Sequence, residues 1–385
     1  MESQAKRTIT LSQAKRLILQ RQSLWPPRSL KGKAGILEHF ANVRLLQYDP
    51  VNLVGNNPQI NLNARVKDFK PDMLNDLLYR DQALVDMWDR CASIVLDEDL
   101  EAMYLNRGDT NWRQRADVDI TDEHVQEVKR LFQEAEQPLP LSAIKDKVLR
   151  ETLLRMLPQG EIGIASRQGP IRFFRLNDLV KQQRYQESDF FANPDDFYDW
   201  MLTRRIASVG LVIARDAKSL TFQSIRGLTP AIRRAAIQRL LTKGVVEKVD
   251  IAGGPSVYLL TEDLPLLEAP VVKPAVSFLG PLDNCIWDRE LLEKVFNFFY
   301  RWEIYNKEET RQYGPYTLPV LYGENIVARI QMLSKEGYLE VEGFWWEKGQ
   351  KLTKTLTQAL QVAFKSHARM LDLEPEKTPI WMRTY

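Results

Sequence analysis

The spacing of apolar positions predicts the opening element. Leu11, Ala14, Leu17 and Ile18 recur at helical intervals, and Thr10-Leu11-Ser12-Gln13 fits a reciprocal N-terminal cap. Trp25-Pro26-Pro27 then removes backbone donors and fixes φ, ending the element. A second helix is predicted over residues 33–42. Residues 43–49 read as a strand or a short helix stopped by Pro50. A further helix is predicted over residues 71–79, with Pro71 in its first turn. Residues 316–347 are mostly β in pattern, with turns at Gly323-Glu324-Asn325 and Lys335-Glu336-Gly337. A final helix is expected over residues 353–371. Pro270-Val271-Val272-Lys273-Pro274 reads as a linker, and residues 276–305 mix strand-like and helix-like signals.

Two stretches share one order of elements. In the first, helical Leu153-Leu154-Arg155-Met156-Leu157 precedes Gly160, a strand at 161–165, a turn at Gly169-Pro170 and a strand at 171–176. In the second, Leu240-Leu241 precedes Gly244, a strand at 245–249, a turn at Gly253-Gly254-Pro255 and a strand at 257–260. Helix, glycine stop, strand, turn, strand is the order of a winged helix, whose helix-turn-helix places its second helix in the DNA major groove. In the second copy Thr229 can cap, Pro230 takes the first helical position, and Ile232, Ala236, Ile237, Leu240 and Leu241 form a broad apolar side. Arg234, Gln238, Arg239 and Thr242 fall opposite, where basic and amide groups suit phosphates and base edges. Arg233 intrudes on the apolar side and must snorkel or pair. Winged helices also serve as protein-binding modules, so the order of elements does not by itself decide the partner.

The chain has 385 residues, 44% hydrophobic and 27% charged, which implies several compact units rather than disorder. No apolar run is long enough to span a membrane, and the N-terminus lacks a secretory signal, so the expected location is the cytoplasm. Cys91 and Cys285 exclude a disulfide scaffold, and three histidines make a metal centre an unpromising reading; no metal and no cofactor are expected. The net charge of +2 hides blocks. Residues 1–49 carry nine Lys/Arg against three Asp/Glu, 140–184 nine against four, and 201–260 ten against three, whereas 68–123 carry six against fifteen. Such blocks allow a basic surface for a polyanion, although ordinary solvated helices account for the same counts.

There is no P-loop, dinucleotide fingerprint, zinc-protease helix or serine-hydrolase elbow. One short element carries candidate chemistry. In Leu46-Gln47-Tyr48-Asp49-Pro50, an extended backbone points Gln47 and Asp49 to one face and Tyr48 to the other. A carboxylate there can activate water or stabilise a developing sugar cation, and the amide can hold the water. On spacing alone, an aspartate capping a turn before proline is the stronger reading.

Longer motifs carry a resemblance. Leu11-Ser12-Gln13-Ala14-Lys15-Arg16-Leu17, Leu46-Gln47-Tyr48-Asp49, Gly280-Pro281-Leu282-Asp283-Asn284-Cys285-Ile286-Trp287-Asp288-Arg289, Arg301-Trp302-Glu303-Ile304-Tyr305 and Arg311-Gln312-Tyr313-Gly314-Pro315-Tyr316-Thr317-Leu318-Pro319-Val320-Leu321 resemble the bacterial winged-helix DNA glycosylases of the AlkZ/YcaQ type. The resemblance covers nearly the whole chain. It implies an α+β fold of tandem winged helix-turn-helix domains with a small C-terminal β-barrel-like domain. The expected domains are a first winged helix with the catalytic motif (1–120), a second (121–185), a third (186–265), the β-barrel-like domain (266–350), and a helix and tail (351–385). It implies a monofunctional DNA-repair glycosylase that releases alkylated purines, N7-alkylguanine above all, and unhooks interstrand crosslinks. Gln47 and Asp49 stand at its catalytic motif, the aspartate placing the chain with the YcaQ-like branch. The implied partner is double-stranded DNA bearing such lesions, met by a cytoplasmic, nucleoid-associated monomer. A non-enzymatic winged-helix DNA-binding regulator is the alternative. DNA contacts are expected from Arg167, Arg172, Arg233, Arg234, Gln238 and Arg239, and Tyr48, Trp88, Arg90 and Ser93 are expected beside the site. Arg90 stands where the family often has histidine; it keeps a positive charge but exchanges no proton near neutrality.

Overall fold

The computed structural model describes residues 7–107, 118–159, 161–177, 191, 193–215, 220–377, 379 and 381. The chain forms two compact units: residues 1–74, 199–223 and 229–385 make the first, and residues 75–198 with 224–228 the second. The expected stop at Gly160 lies outside the described residues.

In the first unit the helix Leu11–Arg21 starts as expected: the Thr10 side chain accepts from the Gln13 N–H and the Gln13 side chain accepts from the Thr10 N–H. Its Ala14, Leu17, Ile18 and Leu19 are buried. The helix Gly32–Val43 ends with Arg44 at φ 66°, and the strand Leu45–Gln47 follows, so the ambiguous stretch is a strand. The helix Asn57–Arg65 is capped by Asn56 and Gln59 in the same reciprocal way. A four-stranded sheet joins Thr8–Ile9, Val246–Ile251, Ser256–Leu260 and Val212–Ile213 in that order. The helix Pro230–Thr242 has Thr229 as cap and Pro230 at its start, and Gly244 at φ 67° lets the chain turn into the hairpin.

A five-stranded sheet runs Val276–Phe278, Leu318–Tyr322, Asn325–Lys335, Tyr338–Trp346 and Glu374–Pro375. The first four pair antiparallel in sequence order, and the last pairs parallel. Bulges at Val320/Leu321 and Gln331/Met332 add local twist. The helix Lys354–Met370, capped by Thr353, packs its Leu360, Ala363 and Phe364 into the core beneath this sheet. The expected linker at 270–274 is held down: the Trp25 indole donates to the Pro270 carbonyl.

The second unit contains the helices Asp122–Glu134 and Lys147–Met156, capped by Thr121 and Asp146. Strand Ile171–Leu176 lies between Leu139–Pro140 and Ile162–Gln168. Val128, Leu153, Met156 and Phe174 fill the space between the helices and this sheet. A hairpin, Leu84–Trp88 with Ala92–Leu96, belongs to the same unit. The predicted helix at 71–79 begins as Pro71–Asn75 and widens into a π-turn over Asp76–Arg80.

A buried polar network organises the first unit. Arg65 and Asp283 are both fully buried, and two guanidinium N–H groups donate to the two carboxylate oxygens at 2.8 Å. Arg65 also donates to the carbonyls of Gln22 (2.7 Å) and Asn61 (2.9 Å). Asp283 accepts further from Asn61 Nδ2 (3.0 Å) and the Cys285 N–H (3.0 Å). His39 bridges Asn61 Oδ1 and Ser23 Oγ, each at 3.0 Å. Removing one partner strands a buried charge, which costs about 3–5 kcal/mol. Asp283→Ala is therefore expected to lower the thermal midpoint sharply. The double change Arg65→Met/Asp283→Leu is expected to destabilise by less than the sum of the two single changes, read in a thermal-melt double-mutant cycle.

Two buried imidazoles tie stability to pH. Burial, helped by the Arg65 charge, lowers the pKa of His39; burial brings that of His367 down to about 4 although its Nε2 donates to the Val54 carbonyl. Free histidine titrates near 6.5. Below that value the unfolded chain binds protons the folded chain refuses, so stability falls as pH drops from about 6.5 toward 4. Asp263 acts oppositely, because burial raises its carboxyl to about 6 beside Arg21. The expected outcome is a thermal midpoint lower at pH 5 than at pH 7. In His367→Gln the difference shrinks, since up to about 2 kcal/mol of it belongs to that ring.

Candidate active site

The backbone leading into the Gln47-Tyr48-Asp49 motif is anchored at three carbonyls in the first unit. Arg44 O accepts from Arg204 Nη2 (2.9 Å), Leu45 O from Asn284 Nδ2 (2.8 Å), and Gln47 O from Asn57 Nδ2 (2.9 Å). Leu45 and Leu46 are buried, which fixes the strand's register. Asn57 also pairs with Leu282 through both its amide groups: Leu282 N–H donates to Oδ1 (3.1 Å) and Nδ2 donates to Leu282 O (3.3 Å). Gly280 makes this approach practicable, because a Cβ there meets Asn57 Oδ1 at 2.4 Å. The stretch around Asp283 and Asn284 thus holds the ion pair and the motif together.

The strand ends at Gln47, so the alternation expected through Asp49 stops two residues earlier. Asp49 instead closes a short turn, with Oδ1 accepting from the Val51 N–H at 2.9 Å. The capping reading of this aspartate is thereby met. Its Oδ2 and the Gln47 side-chain amide make no hydrogen bond among the described residues, and both side chains are half-buried. They are available to a substrate or a water.

Tyr316 is a neighbour that sequence reasoning quoted within a motif but gave no role. It is buried, and its hydroxyl donates to the Gly55 carbonyl at 3.2 Å. Burial first, then Tyr300, then the Asp49 charge push its pKa above the usual phenol value, so it stays protonated. Trp302 packs edge-on to Tyr316, with ring centroids 6.1 Å apart. Glu303 accepts from the N–H groups of Gln312, Tyr313 and Gly314. Burial alone raises the Glu303 pKa; those backbone donors overcome it and hold the carboxyl below its ordinary value. The carboxylate thereby fixes the loop that delivers Tyr316.

The basic candidates divide. On the helix Pro230–Thr242, Arg234 and Gln238 are exposed, as a nucleic-acid face requires. Arg233 is buried and lines a cavity of about 190 Å³ with Phe222, Ile237 and Tyr258. Arg239 is drawn onto the buried Asp199 carboxylate at 2.7 Å, which Lys243 shares at 2.9 Å. Its role is thus partly structural. Arg167, Arg172, Trp88, Arg90 and Ser93 all belong to the second unit. Arg167 pairs with Asp86 at 2.9 Å, Trp88 is 55% exposed at the end of its strand, and Arg90 lies in the hairpin turn. The Ser93 hydroxyl is buried on the Cys91 carbonyl. Gln47, Tyr48 and Asp49 belong to the first unit.

Among the described residues no group of three or more His, Cys, Asp or Glu is arranged to hold a metal ion. His124 serves as a helix cap, and His39 and His367 are packed in the interior. No described helix is long and apolar enough to cross a membrane.

The fold is similar to that of the Streptomyces sahachiroi DNA glycosylase AlkZ, with a TM-score of 0.62 at 16% identity over 96% of this chain and 99% of that one. At that identity the likeness establishes a mixed α+β fold. A family model described as DNA glycosylase AlkZ-like matches residues 40–370, a span that contains the anchored Gln47-Tyr48-Asp49 motif and the Asp283 stretch that holds it. The chain belongs to the AlkZ-like DNA glycosylase family.

Proposed function

We propose that this glycosylase hydrolyses the N-glycosidic bond of alkylated purines, N7-alkylguanine above all, and unhooks interstrand crosslinks built from them. The observation that carries the reading is the pair of polar groups, Asp49 Oδ2 and the Gln47 amide, that make no hydrogen bond among the described residues, on a backbone anchored at three carbonyls. N7 alkylation makes guanine cationic, so it departs without a strong acid. The site then has to stabilise positive charge on the sugar and to place a water. Asp49 does the first and accepts the water's proton; Gln47 orients the water. Water oxygen bonds to C1′ as the C1′–N9 bond breaks, and the electron pair leaves on the base and neutralises it. Because the nucleophile is water, the product is an intact abasic strand, the monofunctional outcome.

The two helix–hairpin segments, Lys147–Met156 with Ile162–Leu176 and Pro230–Thr242 with Val246–Leu260, are read as winged helices that hold duplex DNA. The expected tandem domains 1–120, 121–185 and 186–265, followed by 266–350 and 351–385, remain the proposed division. The protein is further proposed to act as a cytoplasmic monomer.

Asp49→Asn is expected to slow base release from an N7-methylguanine duplex by about 10²–10³-fold while leaving duplex affinity within about twofold. Wild-type turnover in that variant removes Asp49 from the chemistry. Sequence-dependent footprints without base release point instead to a regulator. Arg234→Ala is expected to weaken duplex binding on every sequence and to reduce the slope of log affinity against log salt by about 1. An unchanged slope takes Arg234 off the phosphate backbone.

A further inference from the structure

The second unit holds a cavity of about 120 Å³ for which the glycosylase chemistry supplies no role. Leu84, Leu100, Leu157 and Ile162 give it an apolar floor. One wall is a self-satisfied polar group: Tyr79 Oη donates to Asp86 Oδ2 (2.9 Å), and Arg167 donates to both Asp86 oxygens (2.9 and 3.3 Å). Asp86 and Arg167 are nearly buried, so their charges cancel within the wall. Arg172 and Arg175 also line the cavity. Arg175 is half-buried and has no hydrogen bond or ion pair among the described residues. A guanidinium held in an apolar cavity without a counter-charge favours an anion. Trp88 lines the same cavity, 55% exposed, and no other ring stacks on it among the described residues.

An open indole face beside an uncompensated guanidinium matches a planar heterocycle carrying a phosphate. The cavity suits a ligand of that class because its floor takes the apolar face of the ring.

We propose that this cavity binds one nucleotide, its base on Trp88 and its phosphate on Arg175 with Arg172 beside it. The nucleotide comes either from a single-stranded stretch of DNA or from free nucleoside monophosphate; the recognition chemistry is the same. Neither Gln47 nor Asp49 lines this cavity.

The test is calorimetric titration of the full chain carrying Asp49→Asn. The probes are 2′-deoxyguanosine 5′-monophosphate, 2′-deoxyguanosine, inorganic phosphate and a single-stranded pentanucleotide. The monophosphate is expected to bind at least about tenfold more tightly than the nucleoside or inorganic phosphate alone. Arg175→Gln is expected to remove that advantage and leave nucleoside binding unchanged. Trp88→Phe, which keeps a ring, is expected to retain binding, and Trp88→Ala to lose it. Far-ultraviolet circular dichroism and melting of each variant establish that it folds. Pentanucleotide binding tighter than mononucleotide binding assigns the site to a strand; the reverse order assigns it to the free nucleotide. Absence of mononucleotide binding, equal binding by inorganic phosphate, or an undiminished affinity in a folded Arg175→Gln overturns the proposal. Because catalysis is read separately as base release by the wild-type chain, failure here leaves the Asp49 mechanism untouched, and failure there leaves this one.

Discussion

The Arg65–Asp283 ion pair is the constraint on which the first unit depends. Two full charges removed from water are tolerable only if nearly every remaining donor and acceptor is satisfied. That demand recruits Gln22, Asn61 and the Cys285 backbone, and through Asn61 it reaches His39 and Ser23. The pair joins parts of the chain 218 residues apart. A network of this kind accepts one arrangement and makes neighbouring arrangements expensive, which is what an active site on short strands and loops requires.

The Gln47-Tyr48-Asp49 motif inherits this precision. It has only a three-residue strand of its own, too little to hold two side chains against solvent. Asn284, next to the charged Asp283, takes the Leu45 carbonyl; Asn57, eight residues before Arg65, takes the Gln47 carbonyl. The same two elements that form the ion pair therefore hold the motif. Tyr316, from the β-rich segment, donates to the Gly55 carbonyl and lies near enough for the Asp49 charge to raise its pKa, and Glu303 fixes its loop.

Some of this was legible from residue order. Thr10/Gln13 and Thr229/Pro230 each signalled a helix start by local hydrogen-bonding chemistry, and local chemistry does not depend on the rest of the chain. The two helix–hairpin units were legible because period-two alternation and, in the second of them, the Gly244 stop are local as well. Residues 71–79 were misread as uniform helix, since nothing local marks the widening into a π-turn. Residues 270–274 looked like a free linker because the Trp25 indole that holds Pro270 lies 245 positions away. Arg239 read as a groove-facing cation for the same reason: Asp199, its partner, is 40 residues upstream.

Residue order by itself determined the elements, their caps, the basic and acidic blocks and the Gln47-Tyr48-Asp49 motif, because each is set by neighbours within a turn or a strand. Tertiary structure decided which of those residues are at liberty to act. It occupied Arg239 with Asp199 and Arg167 with Asp86, left Arg234 and Gln238 outward, and left Asp49 Oδ2 and the Gln47 amide without partners among the described residues. The physical reason is that a polar side chain's function depends on whether its hydrogen-bonding capacity is already spent, and the groups that spend it come from distant parts of the chain.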